Sequence, residues 1–276
     1  MNVDIAMAPS PQQAFSGQGV LRISGFCVIE FFLKFMFLLF LCGIVVLLSG
    51  DVELNPGPCR PKYCNLLFSN IRGLHGNLNE LAVISAKFDI ICCAETLVSD
   101  MRHTSELLLP NFNKPLLLRR NSMPRAQGLC LYSRVGFNAS RFTKYECGCH
   151  EYMVVRVCSR FNNFYIFSLY RSPNSDDSIY DCLLTSYISI QENDIKSCFI
   201  FIGDFNAHQR DWLNSVSPTD RHGISALDFA DVVGCEQLVR DATHRSGTLL
   251  DLVLTDVRGV IYVDSIPPIG SSDNVV

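Results

Sequence analysis

An apolar run that is followed by a carboxylate and an amide has the clearest chemical potential in this sequence. The run Ser197–Ile202 is typical of a buried strand, and Asp204 and Asn206 follow it with Phe205 between them. Residues i and i+2 of a strand point to the same side, so the two polar side chains can converge on one ligand. Such a pair suits metal-assisted cleavage of a phosphodiester. The alternative is an Asx-type turn that closes a strand.

Four other apolar segments carry polar residues in a similar way. Three of them lead into Asn70, Glu95 and Tyr170, and the fourth holds Asp251 inside its apolar run. A buried Asp is costly unless it is paired, hydrogen-bonded or close to a metal. We therefore expect these polar positions to gather on one rim of the fold. The four segments are 64–69, 89–94, 163–169 and 248–255.

Short strands alternate with helices over residues 62–276. Further strands are predicted at Gly128–Ser133, Glu151–Val157 and Val260–Val263. Apolar residues at helical spacing predict three helices, within 78–88, 179–190 and 224–230, and Gly234 is expected to end the last one. This order predicts an α/β layered sandwich, and the length suits one large domain.

The ordered motifs over residues 65–276 resemble the endonuclease/exonuclease/phosphatase superfamily, and most closely the apurinic-type endonuclease domain of non-LTR retrotransposon polyproteins. The resemblance implies a layered sandwich of two β-sheets flanked by helices. It also implies a closing strand that is truncated here, as in a fragment of a longer open reading frame. The matching positions are Asn70, Glu95, Tyr170, the Gly203–His208 block, Asp251 and Ser272–Asp273.

The resemblance implies a role for each polar position. Asn70 and Glu95 would bind Mg²⁺, with Mn²⁺ as an alternative. Asp204 would orient or deprotonate the attacking water, and Asn206 would hydrogen-bond the scissile phosphate of DNA. Tyr170 would hydrogen-bond a phosphate oxygen or a ligand carboxylate. A strand-end aromatic residue with a solvated hydroxyl is the alternative for Tyr170.

The predicted catalytic set departs from the family near the end of the chain. Besides Asp251 it includes Asp273, which the family follows with a His placed against the scissile phosphate. Asn274 stands there instead, and an amide carries no proton at neutral pH. General acid–base catalysis contributes typically about 10²–10⁴-fold, so binding should survive and turnover should be crippled. His208 and His222 are the alternative sources of an imidazole.

Residues 50–58 resemble a 2A-type ribosome-skipping peptide. In such peptides the glycyl–prolyl bond, here Gly57–Pro58, is not made, so the resemblance implies a separate nuclease that begins at Pro58. The alternative is a Pro/Gly linker between two modules. The matching residues are Asp51, Glu53, Asn55, Pro56, Gly57 and Pro58.

Residues 26–48 are hydrophobic apart from Glu30 and Lys34, which can pair on a helix. The length is enough to cross a bilayer, which needs about 20 apolar residues. A transmembrane anchor, the core of a signal sequence and a hydrophobic helix that accompanies the 2A-like element are the alternatives. Residues 1–25 are predicted to be an unstructured leader. Skipping would leave the nuclease domain intracellular, in cytoplasm or nucleus; without it, the joined chain would be membrane-associated.

The charge balance is not that of a strongly basic protein, since 23 Lys and Arg residues face 27 Asp and Glu residues. A nucleic-acid binder is usually basic on its binding face. Arg119, Arg120 and Arg125 cluster in a polar loop, which could follow a phosphate backbone or simply be solvated.

The thirteen cysteines show no disulfide framework, and most lie in apolar strands as small hydrophobic residues. An odd number without framework spacing favours a reducing compartment. Cys147-Gly148-Cys149-His150 departs from the usual spacing of structural zinc sites and has no evident second cluster. No zinc is therefore expected.

Three functions are consistent with these features. The first is a Mg²⁺-dependent endonuclease that nicks target DNA for a retrotransposon, in a truncated copy whose activity the missing His would impair. The second is a membrane-tethered phosphodiesterase that acts on lipids or nucleotides. The third is a pseudo-nuclease that binds a divalent ion or DNA without turnover.

Overall fold

The computed structural model describes residues 64–119, 127–158, 163–212, 218–257, 263–264 and 266–269, which all belong to one compact unit. Within these ranges no helix has the length and apolarity needed to cross a membrane. Several predictions fall outside the described residues: the leader, the hydrophobic segment 26–48, the 2A-like segment 50–58, most of the strand at 260–263, and Ser272 to Asn274.

Strands and helices alternate through the described residues. The strands are β1 Leu66–Asn70, β2 Ile90–Ala94, β3 Leu116–Leu118, β4 Leu129–Ser133, β5 Asn138–Arg141, β6 Tyr152–Cys158, β7 Asn163–Tyr170, β8 Cys198–Asp204, β9 Glu236–Gln237 and β10 Asp251–Thr255. The α-helices are α1 Leu74–Ser85, α2 Ser178–Asn193 and α3 Arg221–Val233, and short 3₁₀ turns lie at Thr104–Leu107 and Thr143–Tyr145.

The strands form two sheets. The first has four strands in the order β1-β2-β4-β3, and the second has six in the order β5-β6-β7-β8-β10-β9. The pairs β1–β2 and β7–β8 are parallel, and the other pairs are antiparallel. Each parallel pair therefore has its carboxyl ends on one edge, where the predicted polar residues lie.

Alternating side chains build three buried layers. Phe68 of β1 and Ile202 of β8 lie in the layer between the two sheets. Leu67 packs on the outer side of the first sheet, in the same cluster as Leu81 of α1. Phe201 packs on the outer side of the second sheet, in the cluster that includes residues of α2 and α3. The predicted sandwich of two sheets with flanking helices is confirmed, because the central strands bury one face between the sheets and the other under the helices.

The strands that the sequence did not reveal are β3, β5 and β9, and all three lie at sheet edges. Edge strands are short or polar because one of their sides has no partner strand, so they show little apolar alternation. One boundary also differs, since Asp251 opens β10 instead of lying inside it. The prediction for α3 is confirmed at its end, where Gly234 adopts a left-handed conformation with φ 67°.

Candidate active site

The polar residues predicted at strand ends meet where the two sheets converge. Asn70 at the end of β1 pairs in register with Ala94, which Glu95 follows. On the second sheet, Asp204 at the end of β8 lies in register with Tyr170 on one side and Asp251 on the other. The two parallel pairs thus place four predicted side chains on neighbouring strand ends, and the antiparallel pair β8–β10 adds Asp251 as the fifth.

The side chain of Asn70 joins the two sheets. Its amide nitrogen donates to Glu95 Oε1 at 3.0 Å and to Asp204 Oδ2 at 3.1 Å. We call Asn70, Glu95 and Asp204 the oxygen rim. Because both amide hydrogens face carboxylate oxygens, the orientation of the Asn70 amide is fixed. Its Oδ1 atom is then not used in either of these two hydrogen bonds.

Asp204 is the most deeply buried carboxylate of the oxygen rim, with 3% of its surface exposed. Its pKa is raised to about 7, mainly by burial and also by the charge of Glu95, while hydrogen bonds from Asn70 and from the Asn206 backbone N–H at 3.1 Å oppose the rise. A carboxylate with a pKa near neutrality can accept a proton from a water molecule and release it again.

Tyr170 is buried at the end of β7, where it lies in register with Asp204. Burial, followed by the charges of Glu95 and Asp204, raises the pKa of Tyr170 well above its usual value. The phenol therefore stays protonated and acts as a hydrogen-bond donor beside the oxygen rim.

Asn206 is held by the residue that follows Tyr170. Its amide nitrogen donates to the Arg171 carbonyl at 2.8 Å, and Arg171 Nη1 donates back to the Asn206 carbonyl at 3.2 Å. One amide hydrogen of Asn206 is used in this way, so the predicted bond to a phosphate would use the other.

Backbone conformations that L-residues rarely adopt are concentrated at this site. Four of the five non-glycine residues with positive φ in the described chain lie beside the strand ends, and such outliers often mark functional sites. They are Arg72 at 44°, Glu95 at 49°, Leu97 at 54° and Asn206 at 44°.

The backbones of the two strand-end loops are also bonded to each other. Gly73 N–H donates to the Glu95 carbonyl at 2.8 Å, and Leu74 N–H donates to the Thr96 carbonyl at 2.9 Å. These bonds compensate part of the conformational strain.

The close approach of β7 and β8 explains why the residue before Asp204 is a glycine, Gly203. A Cβ atom at this position would lie 2.0 Å from the Leu169 carbonyl oxygen of β7. Only glycine permits this approach of the two backbones, which sets the register of Asp204 beside Tyr170.

Comparison with known proteins gives the same fold. The structure is similar to the endonuclease domain of TRAS1, a telomere-specific non-LTR retrotransposon, with a TM-score of 0.59 at 14% identity over 77% of this chain and 94% of that one. It is also similar to the AP endonuclease LMAP from Leishmania major, with a TM-score of 0.61 at 12% identity over 77% and 85%. The APE2 catalytic domain from Xenopus laevis gives 0.56 at 16% identity over 76% and 89%. The fold is the endonuclease/exonuclease/phosphatase fold.

A family model gives independent information from the sequence. The model described as "Endonuclease-reverse transcriptase" matches residues 164–273, which contain β7, β8, α3 and β10. No curated protein matches the chain. The family model thus matches part of the described domain, and the solved structures share its fold.

The donor atoms of the oxygen rim fit a hard divalent cation. Asn70 Oδ1 is buried, and no described residue offers it a hydrogen bond. A buried amide oxygen without a donor is costly, and a cation would offset that cost. Beside it, Glu95 supplies carboxylate oxygens, and a small set of oxygen ligands suits Mg²⁺ or Mn²⁺.

A second polar network, which the sequence analysis missed, supports the Asn206 segment. The guanidinium of Arg171 is 1% exposed and donates to the Ser175 carbonyl at 2.7 Å. Its Nη2 atom lies 3.4 Å from Asp177 Oδ1, which is 2.6 Å from His222 Nδ1. The Tyr170-Arg171-x-Pro173 motif was the available signal, but only its Tyr was assigned a role.

The structure also shows the contacts of His208 and His222, the alternative sources of an imidazole, and of Arg119, a candidate contact to a phosphate backbone. His222 is engaged with Asp177, and the His208 backbone N–H donates to Asp220 at 3.2 Å. Arg119 donates to the carbonyls of Ser99 at 2.6 Å and Arg102 at 2.9 Å. The guanidinium of Arg119 therefore holds the segment that follows β2, whereas Arg120, Arg125 and Asp273 lie outside the described residues.

Proposed function

We propose that this domain is a divalent-metal-dependent endonuclease that nicks DNA, as part of a non-LTR retrotransposon polyprotein. The observation that carries the proposal is the Asn70 amide, which links Glu95 and Asp204 across the two sheets and leaves a buried oxygen without a donor. The family match and the similarity to the TRAS1 endonuclease domain support the same class.

In this proposal Asn70 and Glu95 hold Mg²⁺, or Mn²⁺ in its place. When bound, the cation would offset the negative charge that develops on the phosphate oxygens. Asp204 is buried beside both ligands, and it accepts the proton of the attacking water.

Hydrogen-bond donors surround this carboxylate. The second amide hydrogen of Asn206 would donate to the phosphate, and the protonated Tyr170 hydroxyl would be a further donor to a phosphate oxygen or to a ligand carboxylate. Asp251 is buried and lies opposite Asp204 in the adjacent strand. Its carboxylate would orient a neighbouring side chain that contacts the substrate. Asp273 completes the set by resemblance.

Asn274 sets the expected level of activity. An Asn can donate a hydrogen bond to a phosphate, but it cannot carry the proton that the family His supplies. We expect DNA binding with weak nicking, reduced by about 10²–10⁴-fold relative to a version with His inserted after Asp273.

A further proposal concerns residues before the domain. The 2A-like segment, Asp51 to Pro58, would interrupt the Gly57–Pro58 bond and release the domain from the hydrophobic segment 26–48. Translation of the full chain and a Pro58→Ala variant would test this, because skipping gives two products and the variant should give one.

Nicking of supercoiled plasmid by the full chain tests the proposed function. The chain is compared with a version that has His inserted after Asp273, each with and without Asp204→Ala and with Mg²⁺ or EDTA. Mg²⁺-dependent nicking that Asp204→Ala abolishes supports the proposal. DNA binding without nicking in both versions would identify a pseudo-nuclease, and nicking that Asp204→Ala leaves unchanged would refute the assigned site.

A further inference from the structure

Three thiols meet on the second sheet's outer side, away from the strand ends. The Sγ atoms of Cys147 and Cys149 lie 3.4 Å apart, and those two and the Sγ of Cys182 all lie within 4.8 Å of one another. We call these three residues the thiol cluster. Cys182 belongs to α2, so the fold brings it to a loop more than thirty positions earlier in the chain.

One face of α2 is built to hold that loop. Ser178, Cys182 and Ser186 are four residues apart, so they form one stripe along the helix. Ser186 donates to the Tyr145 carbonyl at 2.7 Å and lies 3.2 Å from the Tyr152 hydroxyl. All three side chains of the stripe thus face the loop between the Thr143–Tyr145 turn and β6.

The backbone of the loop is fixed next to the thiols. Cys147 N–H donates to the Tyr152 hydroxyl at 3.1 Å, and that hydroxyl also contacts the Tyr145 carbonyl at 3.1 Å. Cys147 and Cys182 are partly buried against the adjacent core, whereas Cys149 is exposed. The cluster is therefore positioned by rigid elements on one side and open to solvent on the other.

His150 adds a nitrogen beside the thiols. Its Nε2 atom lies 2.9 Å from Ser178 Oγ, and Ser178 Oγ donates to Asp176 Oδ1. The hydroxyl then accepts from Nε2–H, which leaves Nδ1 of the ring as the atom with a free lone pair. Metal-binding His residues characteristically donate their other N–H to such a partner.

We propose that Cys147, Cys149 and Cys182 bind one Zn²⁺ ion through three thiolates. Thiolates 2.3 Å from a tetrahedral zinc ion lie about 3.8 Å apart, which is close to the spacing in the cluster. The fourth ligand would be water on the exposed side, beside Cys149, or His150 Nδ1 after the ring moves, since His150 is not among the residues whose ligand atoms all lie within 4.8 Å of one another. The expectation of no zinc considered only the Cys147–His150 segment, because the sequence did not show that Cys182 joins it.

Other uses of these cysteines agree less well with the geometry. A disulfide needs about 2.05 Å between sulfurs, and 3.4 Å is too long. A small hydrophobic role suits buried cysteines such as Cys92, but Cys149 is exposed. Three clustered thiols of which one is accessible are a soft ligand set, unlike the oxygen rim.

A bound ion would fasten the loop to α2 immediately before β6. Glu151 follows this loop, and its carbonyl accepts the backbone N–H of Tyr170 at 2.9 Å. The Glu151 carboxylate accepts backbone N–H bonds from Gln127 at 2.9 Å and from Gly128 at 2.5 Å. The proposed role of zinc is thus structural, on the segment that supports Tyr170.

Metal binding by the full chain, without DNA, tests the proposal independently of nuclease activity. Reduced, metal-free protein is titrated with Co²⁺ and then with Zn²⁺, and bound metal is also measured by elemental analysis. We expect one ion per chain, a sulfur-to-cobalt charge-transfer band, and a loss of affinity of more than about tenfold in Cys147→Ser, Cys149→Ser and Cys182→Ser. Cys64→Ser, an exposed cysteine outside the cluster, is the matched control and should bind as the unmodified chain does.

A second measurement covers the case in which the variants do not fold. The unmodified chain is alkylated with iodoacetamide with and without Zn²⁺, and each cysteine is mapped by mass spectrometry. Protection of Cys147, Cys149 and Cys182 by Zn²⁺, with Cys64 still modified, supports the site. Binding without the charge-transfer band, equal alkylation with and without zinc, or a Cys147–Cys149 disulfide that persists in reductant would overturn it.

Discussion

The oxygen rim and the thiol cluster each place several ligand atoms around one point, but different structural elements position those atoms. The rim is assembled from strand ends of two different sheets, and strained backbone conformations occur within it at Glu95 and next to it at Asn206. The thiol cluster is assembled from one loop and one regular helical stripe on α2. Strain is concentrated where chemistry is proposed, and regular structure supports the site proposed for a structural ion.

The two sites also differ in ligand chemistry. Carboxylate and amide oxygens suit Mg²⁺, and thiolates suit Zn²⁺, so the two ions should not compete strongly for either site. A substitution in the oxygen rim should therefore change nicking but not zinc affinity, and a substitution in the thiol cluster should change zinc affinity.

The largest expected effect concerns Asp204. In whichever version of the full chain nicks plasmid, Asp204→Ala should reduce the rate by at least about 10²-fold, because the group that accepts the water proton is removed. Zinc affinity should not change. Asp211→Ala, an exposed residue of the same loop, is the control and should retain nicking. A loss of zinc in Asp204→Ala would show that the two sites are coupled.

The next effect is the stabilisation that zinc provides. At a free Zn²⁺ concentration 100 times Kd, binding to the folded chain adds about 2.7 kcal/mol, which for a domain of this size raises Tm by about 5–10 °C. The shift is measured by thermal unfolding with and without Zn²⁺. It should be retained in Asp204→Ala and lost in Cys182→Ser, and an equal shift in all three proteins would contradict the assigned ligands.

The same contrast explains what sequence could predict. Strand-end residues such as Asn70, Glu95 and Asp204 are placed by one rule: parallel strands share an edge, so their ends meet whatever the details of packing. Cys182 follows no such rule, because a residue of α2 contacts a given loop only if the rotation of the helix about its own axis turns that residue toward the loop. The Arg171–Asp177 contact was missed for a similar reason, since it depends on the path of a loop.

A smaller effect is expected where α3 supports the loop after the oxygen rim. Gly223 is the third residue of α3, and a Cβ there would lie 1.9 Å from the His208 carbonyl oxygen. Gly223→Ala should lower the free energy of unfolding by about 1–3 kcal/mol, because α3 would have to move away from the His208 backbone. Thermal or denaturant unfolding measures the change.

Gly76 provides a matched comparison, since it is the third residue of α1 and a Cβ there would have no atom within 4 Å. Gly76→Ala should stabilise the domain by up to about 1 kcal/mol, because alanine is the better helix former. If both substitutions changed stability equally, close approach of α3 to His208 would not be the reason for Gly223.

The smallest effect concerns the network behind Asn206. Asp177 lies 3.1 Å from Arg221 Nε and contacts His222 and the buried Arg171. Asp177→Asn keeps the shape and removes the charge, so it should cost about 1 kcal/mol at neutral pH. Asp181→Asn, exposed in the first turn of α2, is the control and should be nearly neutral.

The pH dependence distinguishes a charge effect from a packing effect at Asp177. Burial acts to raise the pKa of this carboxyl, but the hydrogen bond and charge of His222 and the charge of Arg171 hold it below its ordinary value of 3.8. A carboxyl with a lowered pKa in the folded state stabilises the protein above the unfolded-state pKa, and this contribution is lost as the pH falls through the folded-state value. The difference in unfolding free energy between the unmodified chain and Asp177→Asn should therefore shrink below about pH 4. A difference that stays constant down to pH 2.5 would show that Asp177 supports the Asn206 segment through packing and hydrogen bonds and not through its charge.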